Sequence, residues 1–172
     1  MHETWVSTDD NQIQNIAEQF GSNVINRPSS LSTDISPSEQ ALLHFADNIE
    51  FDILVFIQTT SPLINHMDID IALKMMDEYD SVFSAYKEHW LPKWSMNISP
   101  INWNPLKRPM RQDIEEKYVE NGALYITKRE NLLKFGIRYS GKIGIYEMPF
   151  SRSFQIDTWD DLEIVEKMMN SQ

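Results

Sequence analysis

The chain contains no cysteine, which excludes disulfides, thiolate metal ligands and a cysteine nucleophile. Positive charge is scarce: 15 Lys and Arg stand against 26 Asp and Glu, a formal net charge of -11. A surface of that sign repels nucleic acid and anionic membrane, so an anionic substrate needs a local basic pocket. No apolar run approaches the roughly 18 residues of a membrane span. The common phosphate-loop, dinucleotide and nucleophile-elbow patterns (G-x-x-x-x-G-K-[ST], G-x-G-x-x-G and G-x-S-x-G) are missing. The histidines His2, His44, His66 and His89 have no metal-ligand spacing.

What is present fits one domain of 172 residues, long enough to bury a core. Residues 3–8 read as a strand and Asn11 to Phe20 as a helix, with Ile13, Ile16, Ala17 and Phe20 at helical spacing and Gly21 as its stop. Val24-Ile25-Asn26 reads as a strand, 28–37 as a loop, and Ala41, Leu42, Phe45 and Ala46 as a helical face. FDILVFI (51–57) is nearly unbroken, as in a parallel strand covered on both faces. Helix (Ile69, Ala72, Leu73, Met76) and strand (81–85) follow, then strand 124–126, helix 129–135 and strand 143–148. Thr158 and Asp161 make a capping box for a last helix whose core face is Leu162, Val165 and Met169. This alternation predicts a doubly wound, mostly parallel α/β sheet, with ligands at the carboxyl ends of its strands. Residues 88–120 break the pattern. They hold Trp90, Trp94, Trp103 and the basic run LKRPMRQD, and read as an insertion that is either a partner surface or a lid.

Three groups carry possible chemistry. Gln58-Thr59-Thr60-Ser61-Pro62 puts an amide and three hydroxyls at a strand end, to cap a turn or to bind a polar ligand. Lys107, Arg108 and Arg111 are a solvated loop, an anion site with the planar fork of arginine, or a basic import cluster. Asp157, with Asp160 and Asp161 behind it, suits either a helix dipole or the hard-oxygen coordination of Mg²⁺.

In order, WVSTDD, NRPSSLSTDISPSEQALLHF, DILVFIQTTSPL, NPLKRPMRQD, YVENGALYITKR and SFQIDTWDDLEI resemble the blocks of CMP-sialic acid synthetases, the N-acylneuraminate cytidylyltransferases. The resemblance covers essentially the whole chain. It implies a Rossmann-like nucleotidyltransferase that joins CTP and sialic acid into CMP-sialic acid, releases pyrophosphate and needs Mg²⁺. CMP-Kdo synthetases share the fold and reaction type, but the ENGALY and RQD blocks favour the sialic acid branch. By motif match, Arg27 and Ser38 resemble cytidine contacts and Gln58 a substrate amide. Arg111 resembles the arginine that binds the sugar, and Lys93 a base lent by a neighbouring subunit. Asn121 and Tyr125 match pocket residues, and Asp157, with Gln155 beside it, the metal-binding pair. Residues 88–120 match the dimerisation insertion of a homo-oligomer, dimer or tetramer.

The chain departs from the family pattern in several places. Gln155 replaces the first aspartate of D-I-D-T, which removes a negative charge and speaks against a two-metal arrangement. Ile64 stands where an arginine often follows S-P-L, and Tyr139 is the candidate for an aromatic that shapes the sugar pocket. Family members begin with a strand and an A-R-G-G-S-K-type loop that wraps the triphosphate. Here V-S-T-D comes first, so the resemblance implies an N-terminally truncated chain with little activity alone. The alternative is a non-catalytic short form that modulates a complete subunit.

Overall fold

The computed structural model describes residues 3–89 and 92–170. Among these, the regular elements in chain order are β1 (Trp5–Thr8), α1 (Asn11–Gln19), β2 (Asn23–Asn26), α2 (Ser38–Asn48), β3 (Ile53–Ile57), α3 (His66–Lys74), β4 (Ser81–Lys87), β5 (Tyr118–Lys128), α4 (Arg129–Phe135), β6 (Ile143–Glu147) and α5 (Trp159–Met169). Trp90 lies outside the described residues.

β1 and β2 pair in parallel, Trp5 opposite Asn23 and Thr8 opposite Asn26, with α1 as the crossover. Asp10 starts that helix by accepting the N–H groups of Gln12 and Ile13 at 2.7 and 2.9 Å. Gly21 ends it at φ +79°, a conformation costly for any residue with a Cβ. The other sheet runs β3-β5-β4-β6. Gln58 N–H to Ala123 O (3.2 Å) and Arg129 N–H to Asp52 O (2.9 Å) run β5 against β3. Glu88 N–H to Lys117 O (2.8 Å) and Lys128 N–H to Asp80 O (3.4 Å) run it against β4. Asp80 N–H to Lys142 O and Met148 N–H to Ala85 O, both 2.8 Å, set β6 parallel to β4. The parallel majority of β3, β4 and β6 thus holds one antiparallel strand, β5.

Burial along these strands differs from the sequence expectation. The FDILVFI strand begins at Ile53, which is 40% exposed, and its other residues are half-buried. Its place at one end of the strand order explains this. The interior pair β4 and β5 instead carries the fully buried Val82, Ala85, Leu124 and Ile126. Two helix faces also differ. Of α1's apolar residues only Ala17 is buried and Phe20 is 85% exposed, while α5 buries Val165 but leaves Leu162 and Met169 in solvent contact. The Thr158–Asp161 capping box forms as expected.

The chain packs as two compact units. The first comprises Met1–Phe56, Leu73–Val82 and Tyr125–Gly144. Its core joins Leu42 and Ala46, one turn apart on α2, to Leu132 of α4, with Phe51, Leu54 and Phe56 against them. Arg138 lies 4.7 Å from the Tyr125 ring centre and 5.5 Å from that of Phe56, and its Nε donates to Glu39 Oε1 at 2.7 Å. The second unit comprises Ile57–Ala72, Phe83–Leu124 and Ile145–Gln172. Ile69 and Ala72 of α3, Ala123 and Leu124 of β5, Met148 and Val165 are buried there. Residues 92–117 are irregular, with 3₁₀ turns at Pro105–Lys107 and Arg111–Asp113 and a bridge between Trp94 and Pro100.

The Arg138 guanidinium beside Glu39 holds that carboxyl below its usual 4.5, against the opposing effect of burial. A depressed folded pKa stabilises the fold above 4.5 and loses that contribution as pH falls through the folded value. Glu39→Gln should therefore flatten the acid side of the stability–pH curve below pH 4.5, as measured by urea unfolding at a series of pH values.

Candidate functional site

In the second unit three chain segments meet. The first is the turn after β3, where Gln58 O accepts the Ser61 N–H at 3.1 Å. The second is the middle of β5, where Gly122 adopts φ +69°. The third is the stretch before α5, tied to the first by the Ile156 N–H, which donates to Thr60 O at 2.9 Å. At their meeting point the Gln155 amide donates to the backbone oxygen of Asn121. A Cβ on Gly122 would lie 3.1 Å from Gln58 Oε1 and run into the Gln155 amide nitrogen. Only glycine lets the two amides close over the strand.

Asn121 is buried and holds this geometry from inside. Its Oδ1 accepts from Ser84 Oγ (2.6 Å) and from the Ala123 N–H (3.2 Å), and its Nδ2 donates to Ser153 Oγ (2.9 Å). The Ser84 hydroxyl in turn accepts the Leu124 N–H at 2.9 Å. Asn121 thus spends its polar atoms on the interior and shapes the site through its backbone oxygen.

Asp157 follows Ile156 in an exposed position. The Asp161 carboxylate accepts from Thr158 Oγ1 (2.7 Å), the Thr158 N–H (2.8 Å) and the Asp157 N–H (3.2 Å), which holds it below the usual range. Asp161 therefore serves the cap, and Asp157 is the exposed carboxylate two positions after Gln155. Among the described residues no group of three or more His, Cys, Asp or Glu converges to hold a metal. Mg²⁺ needs no such cage, because it often takes one or two carboxylates and completes its shell with water and substrate phosphates. One carboxylate with the carbonyl oxygen of Gln155 meets that requirement.

The other predicted residues are placed as follows. Lys93 Nζ pairs with Glu88 Oε1 at 2.9 Å in its own chain, which raises the Lys93 pKa. The Lys93 carbonyl accepts the Trp103 Nε1–H at 2.9 Å, and the Trp103 ring meets Trp94 edge-on at 5.0 Å. Arg111 stands in the exposed Arg111–Asp113 turn. In the first unit, Arg27 Nε donates to Ser32 Oγ at 2.8 Å just past β2, and Ser38 opens α2. Tyr125 is 4% exposed. Its ring stacks on Phe56 and Tyr139 at 6.0 and 6.3 Å under Arg138, so it packs a core rather than facing solvent.

Sequence reasoning passed over Ser84, Ser153, Asp68, Tyr146 and Arg152. Asp68 offered a signal, because it lies one helical turn before Ala72 on the apolar face of α3. Its side chain is fully buried and accepts from Tyr146 Oη (2.6 Å), Arg152 Nη2 (2.5 Å) and the Asn65 N–H (2.9 Å). Burial pushes the carboxyl up, but these donors outweigh it and leave it lowered. Burial and the Asp68 carboxylate push the Tyr146 phenol up to about 12.

Solved structures with the same fold define the class. The chain superimposes on a CMP:2-keto-3-deoxy-manno-octonic acid synthetase complexed with CTP at TM-score 0.69 and 18% identity, covering 99% of this chain and 82% of that one. It matches a 4-diphosphocytidyl-2C-methyl-D-erythritol synthase from Anaerococcus prevotii at TM-score 0.67 and 10% identity, covering 99% and 79%. The fold is that of α/β nucleotidyltransferases. Residues 1–172 match the cytidylyltransferase family model, and the chain belongs to the cytidylyltransferase family. Among curated relatives it is 34% identical to N-acylneuraminate cytidylyltransferase A of Danio rerio over 95% of its length. It is 30% identical to N-acylneuraminate cytidylyltransferase of Streptococcus agalactiae serotype V over 91%. The chain spans 40% of the length of each of these two relatives.

Gly122→Ala should strain the backbone at φ +69° and push the Gln155 amide off the Asn121 oxygen. The expected loss is on the order of 1–3 kcal/mol, from the left-handed backbone and a displaced buried hydrogen bond. Denaturant unfolding measures it.

Proposed function

We propose that the chain carries the nucleotidyl-transfer site of an N-acylneuraminate cytidylyltransferase. The observation that supports this best is the meeting of the QTTSP, ENGA and QIDT segments in one unit, with the Gln58 and Gln155 amides at the junction and Asp157 two positions after Gln155. The relatives' names support the same reaction. In it the anomeric hydroxyl of sialic acid loses its proton to water and its oxygen bonds to the α-phosphorus of CTP. The bond from that phosphorus to the bridging oxygen breaks, and pyrophosphate leaves with the electron pair.

The residues divide the work by their chemistry. Arg27 and Ser38 hold the cytidine side, and Arg111 holds the sugar carboxylate with a planar fork that keeps its charge. Gln58 offers a neutral amide to the substrate, and Asn121 and Tyr125, both buried, support the walls from behind. Asp157 and the carbonyl oxygen of Gln155 would hold Mg²⁺. That ion supplies positive charge against the phosphate oxygens when bound. With one formal charge in the pair, a single metal fits better than two. Positioning and charge neutralisation carry most of the acceleration in such a transfer.

The protein works as a homodimer through residues 88–120, with Lys93 reaching the neighbour's site after exchanging Glu88 for substrate. Met96, Ile98 and Leu106 support this, being 100%, 82% and 96% exposed on that segment beside the Trp94–Trp103 pair. Apolar and aromatic residues of this kind form interface cores. Sedimentation should give a dimer that Met96→Glu with Leu106→Glu converts to monomer. A dimer unaffected by both changes would place the interface elsewhere.

The site itself is tested by substitution. Asp157→Asn should lower Mg²⁺-dependent turnover on the order of 100-fold or more, the scale for a charge-stabilising group in a transfer site. Gln155→Ala should cost about 10-fold, the scale for a supporting ligand. Pyrophosphate release from CTP and sialic acid measures both, and equal losses with folding intact would contradict the ranking.

A further inference from the structure

Two cross-links clasp the segment 58–68 to the segment 146–157. At one end Ile156 N–H donates to Thr60 O at 2.9 Å. At the other, Arg152 reaches Asp68 through Nε (3.2 Å) and Nη2 (2.5 Å), joined by the Tyr146 hydroxyl at 2.6 Å. Asp68 also forms a reciprocal cap with Asn65, whose N–H it accepts at 2.9 Å and whose Oδ1 accepts the Asp68 N–H at 3.1 Å. A helix cap alone does not account for the site. Caps serve equally well in solvent, whereas Asp68 is fully buried and answered by a cation 84 positions away in sequence.

The spacing gives the clasp its consequence. Gln155 comes three positions after Arg152, a reach of at most about 10 Å along the chain. Ser153, between them, accepts from Asn121 Nδ2 at 2.9 Å, so little slack remains. On the other side Asp68 lies in the first turn of α3, ten positions after Gln58, and the Ile156–Thr60 bond anchors the turn between them. The Asp68–Arg152 pair and the Ile156–Thr60 bond therefore act together on where Gln155 and Asp157 stand against Gln58.

We infer that Asp68 is a positioning residue for the candidate site: through its buried pair with Arg152 it sets where the Gln155–Asp157 segment stands against Gln58 and Thr60. The inference rests on the reading of Gln155 and Asp157 as the metal side of the nucleotidyl-transfer site. Asp68 touches neither substrate nor metal. It acts by denying the 153–157 segment the freedom to drift from the amides.

The test compares Asp68→Asn with Leu132→Ala, a core truncation in the first unit that lowers stability without touching the clasp. Each is examined at the same temperature interval below its own unfolding midpoint. Two readouts are taken: hydrogen exchange at the Ile156 amide, and Mn²⁺ binding in the presence of CTP by electron paramagnetic resonance. Asp68→Asn should speed the exchange at least 10-fold and raise the half-saturating Mn²⁺ concentration about 10-fold, the scale for outer-shell support of a metal site. Leu132→Ala should leave both within about 2-fold, because distant sites act independently. Arg152→Lys, which keeps the charge but loses the two-pronged grip, should fall between, and it carries the same comparison if Asp68→Asn does not fold. Unchanged exchange and Mn²⁺ binding in Asp68→Asn, or equal changes in Leu132→Ala, overturn the inference. Failure of the unsubstituted protein to bind Mn²⁺ with CTP overturns the proposed function instead, and the exchange result then decides the clasp by itself.

Discussion

A strand that turns through positive φ at its middle is the constraint on which the candidate site depends. β5 enters the second unit extended, and at Gly122 it takes φ +69°. That turn, with no Cβ in the way, lets the amides of Gln58 and Gln155 lie over the backbone where two side chains would otherwise collide. The conformation costs energy in the middle of a strand, and the neighbouring residue offsets it. Asn121 is saturated by Ser84, Ser153 and the Ala123 N–H, so the strand is pinned one residue before it turns. Sequence, backbone strain and site geometry are thus one feature seen at three scales.

Charge follows the same economy. The protein is strongly acidic, at -11, yet the junction over Gly122 is built from the neutral amides of Gln58 and Gln155. The neighbouring acids are occupied. Asp161 is committed to the α5 cap, and Asp68 to Arg152 and Tyr146. An anionic substrate therefore meets less repulsion at this point than the net charge suggests. In the proposed site Asp157 would provide the formal charge that a divalent ion requires.

Much of this could be read from the residues. The order of helices and strands follows from period alone, because α2, α4 and the capped α5 have strong local signals in Leu42 and Ala46, in 129–135 and in Thr158–Asp161. Burial of β3 does not follow: an apolar run cannot reveal whether a strand stands inside a sheet or at the end of its order. Periodicity marks 124–126, a small part of the 11-residue β5, because Glu120, Asn121 and Gly122 are poor strand formers placed there for the site. The motifs in QTTSP and QIDT point to the residues that meet. What holds them is silent in sequence, since Asp68 and Arg152 find each other across 84 positions and neither lies in a motif. Tyr125 shows the converse, a motif residue whose packing beneath Arg138 the motif does not reveal.

The central claim is that this fold joins a cytidylyl group to a sialic acid. Its most direct measurement is the product formed by the protein with Mg²⁺, CTP and N-acetylneuraminic acid, followed by chromatography beside parallel reactions with 3-deoxy-manno-octulosonic acid and with UTP. The account predicts CMP-sialic acid with an equal amount of pyrophosphate, at a low turnover for this chain alone, and less product still from the other sugar or the other nucleotide. Turnover of 3-deoxy-manno-octulosonic acid in preference to sialic acid, or bound CTP that is never transferred to sialic acid, would contradict it.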